Sequence, residues 1–87
     1  MKKIVVYTQK LENCIWCKRY EPILQDLIDS GYIVEKVNAL NEDMSISEEA
    51  SKLGVRSTPT TFIYSDGVII ETFTGIRPPS VIKDKLK

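Results

Sequence analysis

Hydrophobic positions change their period several times along the chain, and each change predicts an element. Ile4-Val5-Val6-Tyr7 is an unbroken apolar, β-branched run, the pattern of a central strand buried on both faces. The polar stretch Thr8–Asn13 predicts a loop. Beyond it Cys17, Tyr20, Ile23/Leu24 and Leu27/Ile28 recur at the three-to-four spacing of one helix face. Asn13 is the predicted N-cap and Asp29-Ser30-Gly31 the C-terminal stop. Pro22 falls inside this helix, removes one backbone donor and predicts a kink. Tyr32–Val37 reads as a second strand. Ser45-Ile46-Ser47-Glu48 has the capping-box pattern and predicts a short helix carrying Ile46, Ala50 and Leu53 on one face, ending at Gly54.

The last third is strand-rich. Thr60–Tyr64 and Val68–Phe73 flank Ser65-Asp66-Gly67, and Asp-Gly between such runs is a strong hairpin signal. Pro78-Pro79-Ser80 opens a final helix to about Leu86, because proline suits a first helical turn. The predicted order is βαβαββα, an α/β fold. A helical crossover makes its two strands parallel, and the hairpin adds two antiparallel ones. The result is a mixed four-stranded sheet, with the first and third strands central.

With 87 residues, one domain over residues 1–87 and one core are expected. Composition narrows the partners. Twelve basic residues balance twelve acidic ones, so no net field draws the chain to nucleic acid or anionic lipid. The longest apolar runs, Ile4–Tyr7 and Val68–Ile70, are far too short to span a bilayer. Met1-Lys2-Lys3 ahead of an apolar run has the order of a signal peptide, but Gln9, Lys10 and Glu12 interrupt it and no small-residue cleavage site follows. A cytoplasmic monomer is the expectation.

The two cysteines, Cys14 and Cys17, stand at C-x-x-C spacing, and the chain has no histidine. A bridge between them would close too short a loop to constrain the unfolded chain much, so stapling explains the pair poorly. A zinc site wants four ligands, and this pair supplies half of one. No metal is expected. Redox chemistry needs what is present. Cys14 falls at the start of the predicted helix, where unpaired backbone N–H groups and the positive end of the dipole favour a thiolate, the attacking species. Cys17, one turn along, can reach and resolve the mixed disulfide.

Cys14-Ile15-Trp16-Cys17-Lys18 followed by Pro22-Ile23-Leu24 is similar to the active-site helix of thioredoxins. Val34-Glu35-Lys36-Val37-Asn38 looks like the strand in which they carry Lys-x-Asn. Val55-Arg56-Ser57-Thr58-Pro59-Thr60 looks like the segment holding their cis-proline, and Asp66-Gly67 through Gly75 resembles their terminal hairpin. The chain is thus similar to a thioredoxin without the extra N-terminal strand and helix of full-size members. This resemblance implies a minimal thioredoxin fold and reduction of protein disulfides, with Cys14 as nucleophile and Cys17 resolving. It implies a cis Thr58–Pro59 bond whose neighbouring Thr58 backbone pairs with an extended substrate. Ile15, Trp16 and Gly75 join Thr58 and Pro59 as expected substrate contacts, with Lys18 and Lys36 as electrostatic tuning. Beyond the reversible Cys14–Cys17 disulfide no cofactor is implied. Thioredoxin reductase or glutathione is the implied electron source, and ribonucleotide reductase a typical client.

The chain departs from that family at several points. Asn13 stands where thioredoxins have Trp, and Ile15-Trp16 where they have Gly-Pro. Val5 or a near neighbour replaces a buried Asp, which would leave Lys36 without its usual carboxylate partner and the proton acceptor for Cys17 unassigned. Glutaredoxins share the strand-first start, but Leu11 occupies the position of their lysine, and Gly75-Ile76-Arg77-Pro78 replaces Gly-Gly-x-Asp. A thioredoxin-like donor is therefore favoured over a glutathione-dependent glutaredoxin. A non-catalytic binding subunit is the third reading.

Overall fold

β1 (Lys2–Thr8) is the strand on which the rest assembles. The computed structural model describes residues 1–9 and 14–86. Along one side β1 pairs in parallel with β2 (Val34–Asn38), and along the other in antiparallel fashion with β3 (Thr60–Ser65). β3 continues through the hairpin into β4 (Val68–Thr74), giving the order β2-β1-β3-β4. Among the described residues three helices complete the α/β fold: α1 (Ile15–Asp29), α2 (Glu48–Lys52) and α3 (Pro79–Lys85).

Alternation along the strands divides the apolar residues between two layers. Ile4, Val6, Ile63 and Phe73 pack against Tyr20, Leu24 and Leu27 of α1 and Ile82 of α3. Val5, Tyr7 and Phe62 point the other way and pack with Ala39, Ala50 of α2 and Val55. This two-sided burial is why Ile4–Tyr7 reads as a continuous apolar run rather than an alternating one.

Several details differ from the sequence expectation. Thr8, expected in the loop, ends β1 opposite Asn38, and Ser65, expected in the turn, ends β3; four others have a local reason. The cap of α1 is Cys14 itself, whose sulfur accepts the Cys17 N–H; the expected cap, Asn13, lies outside the described residues. The chain after α1 needs two residues more than expected before the strand begins. The Gly31 N–H bonds to the Ile28 carbonyl and the Tyr32 N–H to that of Leu27, with Gly31 at φ +94°. Tyr32 is thus held in the helix stop, and β2 starts only at Val34. The third difference is at α2, which is capped by Ser47, not Ser45. Asp43 takes both the N–H and the hydroxyl of Ser45, and Ile46 forms an isolated bridge with Leu40 instead of joining the helix. The fourth lies in β4, where a register shift between Ile63 and Tyr64 leaves Ile70 as an extra residue opposite β3. At Asp66-Gly67 both residues have positive φ, as the tight turn requires, and Asp66 pairs with the Met1 ammonium. Pro22 lies inside α1, which runs on to Asp29.

Candidate active site

Cys14 meets α1 in an extended conformation, φ −142° and ψ 99°, and takes the place a serine or aspartate occupies at other helix starts. Its Sγ accepts the Cys17 N–H at 3.1 Å. That N–H belongs to the first turn and has no carbonyl partner within the helix. The two sulfurs are joined as a disulfide, with the Cα atoms 5.2 Å apart. No acidic side chain stands in the first turn of α1 to oppose its positive end. A negative charge on Cys14 would therefore be met by an N–H donor and by the helix dipole together. Both cysteines are buried, Cys14 at 6% and Cys17 at 2% exposure, whereas Ile15 and Trp16 between them are 58% and 53% exposed.

The segment entering β3 lies against the same sulfur. Thr58 Oγ1 is 3.5 Å and the Thr58 carbonyl oxygen 3.8 Å from Cys14 Sγ. The Thr58–Pro59 bond is cis. The Pro59 carbonyl accepts the Gly75 N–H at 2.8 Å, which brings the end of the hairpin to this loop. A groove of about 390 Å³ opens beside Cys14, walled by Ile15, Trp16, Leu40, Ile46 and Arg56. The Arg19 guanidinium stacks over the Trp16 ring at 5.0 Å.

Not every expected site residue converges on the sulfurs. Lys18 is exposed on α1. Lys36 pairs with a carboxylate other than the buried one the family uses: its Nζ lies 2.6 Å from Glu21 Oε2, joining β2 to α1. Val5 is buried in the second apolar layer, and among the described residues no carboxylate is bonded to either cysteine. The expectations attached to Leu11 and Glu12 fall outside the described residues. Arg77 is occupied over the Phe73 ring at 5.7 Å and donates to the Ile76 carbonyl. Sequence reasoning overlooked Leu40, did not place Gln9 or Ile46 at the site, and quoted Arg56 only as part of a motif. A polar residue just past a buried central strand is a weak signal for Gln9, because sites collect at strand ends; Leu40 and Ile46 have none.

Residues 1–87 match the thioredoxin family model. The chain belongs to the thioredoxin family. It is 31% identical over 72 residues to a thioredoxin of Bacillus subtilis (strain 168), a match covering 82% of this chain and 67% of that protein. A thioredoxin of Streptomyces clavuligerus is 32% identical over 71 residues, covering 82% of this chain and 64% of the relative. The chain thus spans about two thirds of the length of these curated relatives. Among solved structures, a mutant thioredoxin from Halobacterium salinarum NRC-1 superposes with a TM-score of 0.81 at 25% identity, covering 97% of this chain and 70% of that one. The thioredoxin fold is shared, and the C-x-x-C pair at the start of α1 makes the protein a thiol–disulfide oxidoreductase. Thioredoxin chemistry runs on the cysteine pair and needs no further cofactor. No group of three or more metal-ligating side chains occurs among the described residues, and none of their helices is long and apolar enough to cross a membrane.

Proposed function

We propose that the protein reduces disulfides of other proteins, with Cys14 as the attacking sulfur and Cys17 as the resolving one. The observation that carries this division is the Cys17 N–H aimed at Cys14 Sγ at 3.1 Å, which stabilises negative charge on Cys14 and not on Cys17. In the reduced protein the Cys14 thiolate attacks one sulfur of the client disulfide. A Cys14–client bond forms, the client S–S bond breaks, and the second client sulfur leaves as a thiolate that takes up a proton. Cys17 then loses its proton and attacks Cys14 Sγ. The Cys14–Cys17 disulfide forms, the mixed disulfide breaks, and two electrons have passed to the client. The client segment lies extended along the Thr58–Pro59 backbone, with Gly75 on its far side and the exposed Ile15 and Trp16 as apolar contacts. Lys18, next to Cys17 in sequence and exposed on α1, adds a positive charge that acts on the pair only from a distance. Lys36 acts only from within its ion pair with Glu21.

The client class is disulfide-bearing cytoplasmic protein, ribonucleotide reductase being typical of the family, and the protein acts as a monomer over one domain. Electrons come from a thioredoxin reductase. Arg77, a cation in the segment that replaces the Gly-Gly-x-Asp of a glutathione-binding glutaredoxin, is already engaged with Phe73 and Ile76.

A trapping experiment tests the assignment. Cys17→Ser should accumulate a covalent mixed disulfide with a model client such as insulin, released by dithiothreitol, and Cys14→Ser should trap none. Trapping by Cys14→Ser instead would reverse the roles of the two sulfurs. Coupled insulin reduction driven first by thioredoxin reductase and then by glutathione with its reductase identifies the electron source; turnover with glutathione alone would make the protein a glutaredoxin in function.

A further inference from the structure

Gln9 and Thr58 stand where β1 and β3 would meet if their pairing ran on. The antiparallel register sets Tyr7 opposite Thr60, so two residues further along Gln9 comes level with Thr58. Gln9 Nε2 lies 2.9 Å from Thr58 Oγ1, and that same oxygen lies 3.5 Å from Cys14 Sγ. Chemistry fixes the direction of both bonds. An amide NH2 group only donates, so Thr58 Oγ1 accepts from Gln9. A disulfide sulfur carries no hydrogen, so at the second contact the Thr58 hydroxyl is the donor and Cys14 Sγ the acceptor.

We propose that Gln9 is a positioning residue of the redox pair: by donating to Thr58 Oγ1 it holds the hydroxyl hydrogen of Thr58 on Cys14 Sγ. A threonine hydroxyl otherwise rotates to whichever acceptor is nearest. With its oxygen engaged by Gln9, the hydrogen remains on the sulfur in the reduced protein as well. There the Cys14 thiolate gains a donor from outside α1, in addition to the Cys17 N–H at 3.1 Å. The need for it is local, because the Thr58 carbonyl oxygen, 3.8 Å from the same sulfur, opposes negative charge there. Among the described residues, the charged side chain sharing the groove with Cys14 is Arg56, while Lys18 and Arg19 lie on α1. These cations favour a thiolate whether or not Gln9 is present, so the Gln9 effect is an increment on theirs.

The inference rests on Cys14 being the attacking sulfur, and the test separates the two ideas. Alkylation of the reduced protein by iodoacetamide is followed against pH, with the modified cysteine identified by mass mapping, and the reduction potential is measured against the glutathione couple. Gln9→Leu removes the donor. Thr58→Val removes the hydroxyl and keeps the side-chain shape. Each should raise the pH midpoint for Cys14 alkylation and slow its reaction at neutral pH by about three- to tenfold, the size of one hydrogen bond. Each should also make the protein more reducing, since the reduced form loses stabilisation. The double variant should go no further than Thr58→Val alone, because Gln9 acts only through that hydroxyl. Gln9→Glu keeps the shape, but its carboxylate accepts only. It draws the Thr58 hydrogen away from the sulfur and adds negative charge, so its midpoint should rise more than that of Gln9→Leu. An unchanged midpoint in Gln9→Leu, additive effects in the double variant, or a lowered midpoint in Gln9→Glu would each overturn the proposal. Faster alkylation of Cys17 than of Cys14 in the parent would instead remove the division of roles on which it rests.

Discussion

At the residue scale, a buried phenol behind the sheet makes stability depend on alkaline pH. Tyr7 is 2% exposed and donates its hydroxyl to Glu49 Oε1 at 2.9 Å. Burial, reinforced by that bond and by the Glu49 charge, pushes its pKa up to about 12. Tyr20 is also raised, chiefly by burial, against the lowering effects of its bond to Thr61 and of Arg77. The sign follows from proton counting. Between the unfolded value of about 10 and the raised folded one, the native state holds a proton that the unfolded chain releases. The contribution is therefore complete below about pH 10 and lost as pH rises towards 12. Urea midpoints should fall across that window. Tyr7→Phe should flatten the fall without abolishing it, because Tyr20 still titrates. A slope identical to that of the parent would show that Tyr7 ionises as freely in the fold as in the unfolded chain.

At the element scale, the helix starts carry the information. α1 and α2 both open on a side chain that accepts an N–H from the first turn: the Cys14 sulfur at one, the Ser47 hydroxyl at the other, 3.2 Å from the Ala50 N–H. The difference in chemistry gives one helix a reactive start and the other a structural one. α2 is only five residues long, too short to hold itself by propensity, so its cap matters more than usual. Ser47→Ala should cost about 1 kcal/mol in urea denaturation, whereas Ser45→Ala, outside the helix, should cost less. Equal losses at the two positions would mean that the cap assignment is wrong. The serine pair also shows how a motif misleads. Ser45-x-x-Glu48 satisfies the capping-box pattern, but Asp43, two residues before Ser45, binds that serine first.

At the scale of the whole molecule, one sheet with apolar residues on both faces holds the site steady. β1 and β3 lie side by side at the centre, and the two halves of the site, the Cys14 helix start and the Thr58–Pro59 loop, sit at neighbouring ends of these strands. Truncation at the centre should therefore be costly. Ile63 is fully buried between β1, α1 and α3, and Ile63→Ala should lose about 2–5 kcal/mol of stability. Ile70, the extra residue of β4, is 45% exposed, so Ile70→Ala should stay within about 0.5 kcal/mol. Denaturation midpoints of the two variants make the comparison, and similar losses would contradict the placement of the core.

The sequence alone determined the elements, their order and the reactive pair, because each is written in a few neighbouring residues. The apolar run at Ile4–Tyr7, the helix stripe from Cys17 to Leu27, the Asp66-Gly67 turn and the C-x-x-C spacing need no distant contact to be read. Thr58-Pro59 became legible through its resemblance to a family segment, not through any local periodicity. Tertiary structure decided what stands beside the sulfurs. Gln9 and Thr58 are 49 residues apart, and only the register of β1 on β3 makes them neighbours. Lys36 finds Glu21 because α1 packs beside β2. Leu40 and Ile46 become walls of the groove because the chain after β2 folds back on itself through their bridge. Pairings of this kind depend on how separate elements are set against each other, and no short window of sequence contains that information.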